Sequence, residues 1–333
     1  MKEMLLTKTL PHILATLKKG FSAWIFVAKL TVPALFLTRL LLYFDLLDNV
    51  AQIFKPLMSL LNLPPEMALV WVSGMAANFY VAIGVFISLL PTMDPLSVSQ
   101  ATTLGCMCLL AHALIIEGQV CRGTGVSFWR VTIFRMVSAL ILGLIITWTA
   151  SFTGWGAEPS SVISAFLVFS DPVPPWGVWA LSLVKQLVMI LLLMEALMLL
   201  MELIKYLGLT RLIAKVLGPP LRLAGVGESA LMVTIIGCVV GLGYGGGLIV
   251  AESRSGSIPP NDIFGAMMLM AVFHSIVEDT ILGWALGGSL WWLLGARMVF
   301  ALALAAVVNR LARRPWWRPI IVGKNLQFQD PVS

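Results

Sequence analysis

Arg135-Met-Val-Ser-Ala-Leu140 and Arg297-Met-Val-Phe-Ala-Leu302 agree at five of six positions, 162 residues apart. The same offset carries His112 onto His274 and Glu117 onto Asp279. It also carries Glu66-Met-Ala-Leu69 onto Glu228-Ser-Ala-Leu231, and Val50 and Phe54 onto Leu212 and Val216. Apolar helices match one another by chance, so the leucines and alanines carry little weight. Rare polar residues that keep one spacing carry much more. A fixed period of this kind marks an internal duplication. The fold is therefore expected to be two homologous halves, residues 21–150 and 176–309, joined by a linker over 151–175.

Those halves belong in a membrane. Of 333 residues, 59% are hydrophobic and only 11% charged, against roughly 25% charged in an average soluble chain. So few charges cannot clothe a soluble surface, and the mean hydropathy of +0.95 agrees. Soluble enzymes, nucleic-acid binders and disordered regulators are set aside, and the net charge of +6 is read as a topology signal. Four cysteines, Cys106, Cys108, Cys121 and Cys238, lie in or beside apolar runs and form no disulfide framework. Stretches of the length needed to cross, about 20 apolar residues, fall near 21–44, 66–90, 98–117, 128–150, 176–206, 228–250, 262–286 and 289–309. Residues 1–20 read as a short amphipathic segment and 310–333 as a basic cytoplasmic tail. Residues 45–61 and 207–222 each place apolar positions on one helical face and are too short and polar to span, so interfacial helices are expected.

Basic residues cluster in the N-terminal segment, in 205–222 (Lys205, Arg211, Lys215, Arg222) and in the tail, while 151–175 has none. The positive-inside rule puts the first three in the cytoplasm and the linker outside. Each half must then cross an odd number of times, although each has four apolar stretches. One stretch per half must be broken or re-entrant, and the halves take opposite orientations, as in many secondary transporters. The expected fold is all-α and polytopic, with two inverted repeats. Four plain crossings per half is the competing arrangement.

The break in the second half is expected at Gly241-Leu-Gly-Tyr-Gly-Gly-Gly247. Glycine costs about 1 kcal/mol per helical residue relative to alanine, and irregular backbone at membrane depth survives only inside protein or beside water. The same glycines also read as GxxxG packing surfaces. Gly74 to Gly84, with Asn78 and Tyr80, is the milder counterpart in the first half.

Ionisable residues in a span are costly and mark function by default. His274-Ser-Ile-Val-Glu278-Asp279 is the strongest such group, with His274 and Glu278 one helical turn apart. Imidazole and carboxylate suit a cation, a proton relay or a polar substrate, but two ligands do not complete a metal site. An ion pair between Glu278 and Arg297 would account for the same residues structurally. His112, Glu117 and Cys108 form the repeat counterpart, and Arg135 and Arg297 are expected to be counter-charges. The candidate substrate- or ion-binding residues are Gly243, Tyr244, Gly245, Gly246, His274, Glu278, Asp279, His112, Glu117 and Asn78. No cofactor or metal is specified. No metalloprotease, nucleophile-elbow or Walker A motif is present, so no enzymatic activity is expected.

Leu242-Gly-Tyr-Gly-Gly-Gly-Leu-Ile-Val-Ala-Glu252 with His274-Ser-Ile-Val-Glu-Asp-Thr280, and Leu63-Pro-Pro-Glu-Met-Ala68 in the first half, resemble prokaryotic membrane proteins with paired nucleoside-recognition gate domains. Spore maturation proteins A and B, the membrane part of ferrous-iron permease B and, remotely, concentrative nucleoside transporters are similar. The resemblance spans about 25–150 and 180–308. It implies a multi-pass protein of the inner (plasma) membrane that carries a nucleoside-like solute or a divalent metal at the repeat interface. It carries over no substrate contact. This chain lacks the GTPase domain of the iron permease, so the energy source is open. A non-transporting membrane scaffold and a membrane-embedded metal-dependent hydrolase are the alternatives. Expected partners are a small solute or ion and the lipid bilayer, with room for a homo-oligomer and no role for nucleic acid.

Overall fold

The computed structural model describes residues 2–160 and 174–314, with the side chains of 2–12 and 243–245 outside the description. Most of the 151–175 linker and the tail beyond 314 therefore lie outside the described residues. Apart from one isolated bridge between Ser97 and Pro159, the regular structure described is helical. The first half contains α1 (Lys2–Tyr43), α2 (Leu47–Leu60), α3 (Met67–Ala76), α4 (Phe79–Leu89), α5 (Val98–Leu110), α6 (Leu114–Gly123) and α7 (Phe128–Thr153). The second contains α8 (Trp176–Tyr206), α9 (Leu209–Leu223), α10 (Glu228–Val240), α11 (Leu242–Ser255), α12 (Pro260–Val272), α13 (Ile276–Ala285) and α14 (Arg297–Ala312). A π-helical turn, Trp291–Ala296, leads into α14. Both ends of α5 and α6 fall 162 residues before both ends of α12 and α13.

Among the described residues, six segments are long and apolar enough to cross a membrane: Ile13–Tyr43, Val98–Gly123, Phe128–Thr153, Trp176–Tyr206, Pro260–Ala285 and Trp291–Ala312. That is three in each half. The fourth apolar stretch of each half is broken into short helices, α3 with α4 and α10 with α11, and the members of each pair pack against each other. Two collinear pieces of one span could not touch along their lengths, so each pair folds back as a hairpin. The amphipathic stretches appear as α2 and α9. One boundary differs from the sequence reading. α1 runs unbroken through residue 20, because nothing in Lys18-Lys19-Gly20-Phe21 stops a helix strongly enough.

The hairpin tips have local causes. Asn78 is extended, and its side chain accepts a hydrogen bond from the Val81 amide at 3.0 Å, capping α4. This satisfies one of the orphan amides at a helix start. In the second half the tip is Gly241, with φ +101°, a conformation that L side chains rarely adopt. The break therefore sits at the first residue of the glycine run. Gly243 to Gly247 continue as α11.

The halves meet along α1 with α8, α5 with α13, and α6 with α11. Gly246 faces Val120, and Gly123 faces Val250, so small residues let α6 and α11 approach closely. Here the packing reading of the glycines is the one realised. Gly247 is exposed and has no neighbour at the position a Cβ would take.

Candidate functional site

Two further interruptions decide the site, and neither has a glycine or proline to announce it. α5 stops at Leu110 and α6 starts at Leu114; α12 stops at Val272 and α13 starts at Ile276. The pivots are Ala113 and Ser275, with φ +47° and +46°. A non-glycine residue in this region costs on the order of 1–3 kcal/mol and persists only where its surroundings enforce it. Several contacts do so. The Ala113 amide donates to the Gly74 carbonyl at 2.9 Å. Arg135 Nε donates to the Leu110 carbonyl at 2.8 Å, and Cys238 Sγ donates to the Phe273 carbonyl at 3.2 Å. Each break thus exposes backbone acceptors that a neighbouring element receives, as buried polar groups in lipid require.

His112 and His274 occupy the two breaks and meet across the junction of the halves. Their Nε2 atoms are 3.4 Å apart and their ring centroids 5.2 Å. His112 also stacks on Phe79, at 6.0 Å between centroids. Each Nδ1 faces a carbonyl one turn back, Cys108 O at 2.9 Å for His112 and Met270 O at 2.7 Å for His274. A carbonyl only accepts, so each Nδ1 carries the proton. In the neutral ring, Nε2 is then a free lone pair. Both Nε2 atoms point at carboxylates. Glu117 Oε1 lies 3.5 Å from His112 Nε2 and 3.1 Å from His274 Nε2. Asp279 Oδ2 lies 3.9 Å from each. All four side chains are buried.

The guanidiniums of the repeat are not equivalent. Arg135, fully buried, pairs with Glu117 Oε2 as well as with Leu110 O. Arg297, equally buried, reaches only the Thr280 hydroxyl, at 3.4 Å, and lies over the Phe273 ring at 5.2 Å. Its Nε and Nη1 have no hydrogen-bond partner. The ion pair between Arg297 and Glu278, the structural alternative for these residues, is not formed. Glu278 is half-buried and accepts from the Tyr80 hydroxyl at 2.6 Å. The break after His274 explains this. Residues 274 and 278 do not share one helix, so the four-residue spacing does not align them, and Glu278 turns to α4 while Asp279 turns to the histidines. Tyr80 also lines a small apolar cavity with Ile83, Phe86, Ile190 and Leu286.

Of the residues singled out from the sequence, His112, Glu117, His274 and Asp279 come together, and Glu278 sits beside them on Tyr80. Asn78 is engaged as a helix cap. Gly246 packs on α6, and the side chain of Tyr244, with positions 243 and 245, lies outside the described residues. Cys108 contributes its carbonyl to His112, not its thiol. Sequence reasoning did not put Tyr80 among the binding residues. Its only signal was its place beside Asn78 in the broken stretch.

Residues 24–121 match the family model described as "Gate: Nucleoside recognition". The chain is 27% identical over 320 residues to an uncharacterized membrane protein, YvoD, of Bacillus subtilis (strain 168), an alignment covering 93% of this chain and 97% of that one. No solved structure matches. The resemblance to gate-domain membrane proteins is borne out, and the chain is a multi-pass, all-α membrane protein similar to them.

Proposed function

We propose that this chain is a permease or transporter of a small polar solute or ion in the prokaryotic plasma membrane, with its site where the two halves meet. The observation that carries the reading is the convergence of His112 and Glu117 from one half with His274 and Asp279 from the other, at two helix breaks. Discontinuous helices that aim polar ends and ionisable side chains at a repeat interface are the device by which many carriers hold cargo within the bilayer. A scaffold that needed only packing would have no reason to keep four ionisable groups and two strained backbone residues at its centre. The three spans and one hairpin per half support an inverted arrangement, since an odd number of crossings reverses the second half.

In this reading Glu278 is the group on the path. It is the acidic residue of the cluster that stays partly exposed, and its bond to Tyr80 joins α13 to α4 across the halves. The test is uptake into proteoliposomes of labelled nucleosides and divalent ions, wild type against Glu278→Gln. The amide still accepts from Tyr80, so the variant folds, but it carries no charge and no titratable proton. Loss of uptake in a folded variant is expected; unchanged uptake would overturn the assignment.

A further inference from the structure

We infer that His112, His274 and Asp279 form a binding site for a divalent transition-metal ion of the zinc class. The inference names the ion class for the site on which the transport reading rests.

The first support is the orientation of electron pairs. Both Nδ1 atoms are committed as donors to carbonyls, which leaves two Nε2 lone pairs 3.4 Å apart. Two lone pairs facing each other in a buried site repel unless a proton or a metal ion lies between them. Metal-bound histidines show this same pattern, one nitrogen on the ion and the other donating to a carbonyl that fixes the ring. The second support is Asp279. Its residue is 5% exposed, and its Oδ2 has no hydrogen-bond partner although it is aimed at both histidines. A buried carboxylate oxygen without a hydrogen-bond partner is strongly unfavourable, so the site as built has room for one more positive group. The third is size. Zinc bonds of about 2.0–2.2 Å set tetrahedral ligands roughly 3.3–3.6 Å apart. The two imidazole nitrogens already have that separation, and Asp279 Oδ2 at 3.9 Å needs a shift of a few tenths of an ångström. The potential ligand atoms of these three residues lie within 4.8 Å of one another.

Charge points the same way. Three carboxylates, Glu117, Asp279 and the Tyr80-bound Glu278, stand against the two guanidiniums of Arg135 and Arg297, which leaves one net negative charge with neutral imidazoles. Arg135 already neutralises Glu117. Glu117 Oε1, 3.5 and 3.1 Å from the two Nε2 atoms, would stand beside such an ion, with its carboxylate held by Arg135. Two imidazoles with carboxylate favour zinc-like ions over magnesium or calcium, which take oxygen. No thiol belongs to the group.

The experiment uses the full chain in detergent, stripped with chelator, re-equilibrated with Zn2+ or Co2+ and desalted. Metal content, visible absorption of the Co2+ form and thermal unfolding are then measured. One equivalent of metal is expected, with four-coordinate d–d bands, no thiolate charge-transfer band, and a melting temperature raised by Zn2+, since a ligand that binds the native state stabilises it. His274→Ala and Asp279→Asn should lose the metal. If either loss variant fails to fold, the Co2+ spectrum of the wild type still decides. A wild type that retains no stoichiometric metal, or an unchanged Co2+ spectrum in folded Asp279→Asn, would overturn the inference. The two readings fail separately: metal bound without uptake in any condition removes transport alone, and uptake that depends on Glu278 without metal removes the site alone.

Discussion

Arg135 and Arg297 stand at matching positions of the repeat and are both fully buried, yet the same substitution should affect them differently. Arg135→Met removes two hydrogen bonds, to Glu117 and to the Leu110 carbonyl, each of the kind worth about 1.5–3 kcal/mol when one partner is charged. It also strands the Glu117 carboxylate, and stripping one partner from a buried ion pair costs about 3–5 kcal/mol. We take about 3–5 kcal/mol as the expected loss, since the two figures describe overlapping contacts. Arg297→Met removes one long bond to Thr280 and a cation–π contact of about 0.5–2 kcal/mol. It also relieves two unpartnered nitrogens, Nε and Nη1, against one, Nη2, at Arg135. Its expected loss is about 1–2 kcal/mol on the same scale. Equilibrium unfolding in mixed micelles, with chelator present so that metal occupancy does not enter, should separate the variants by at least about 1 kcal/mol. Combining Arg135→Met with Glu117→Gln should recover most of the loss, because no unpaired charge remains. Equal losses at the two positions, or no recovery in the double variant, would refute the reasoning, and with it the asymmetry of the two halves.

Gly241→Ala should destabilise by about 1–3 kcal/mol, because φ there is +101° and the new methyl group would meet Ser275 Oγ; adding Ser275→Ala should restore only the contact part in the same unfolding assay. Asn78→Ala should cost about 1 kcal/mol through loss of the α4 cap, read as a lower unfolding midpoint. In a cysteine-free background, Cys placed at Glu158 and at Arg211 should react from opposite sides of the membrane, and labelling of both from outside would exclude opposite orientations of the two halves.

The sequence alone determined that the chain lies in a membrane, that its helices are apolar, and which ionisable residues stand inside apolar runs. Composition and hydropathy are sums over residues, and a charge in an apolar run is conspicuous wherever the run goes. The 162-residue spacing was legible for the same reason: Arg135, His112 and Glu117 keep it to Arg297, His274 and Asp279 without reference to shape. The break at Gly241 was legible because a glycine has a local conformational signature. The breaks at Ala113 and Ser275 were not, since neither residue prefers a positive φ, and the contacts that hold them come from Gly74, Arg135 and Cys238, distant in sequence. Without those breaks, helical spacing put His274 with Glu278 and left Asp279 aside. Tertiary structure reversed that pairing, gave Glu278 to Tyr80, and brought the histidines of the two halves within 3.4 Å. Periodicity describes an unbroken helix, so where packing interrupts the helix only the folded chain decides which side chains meet.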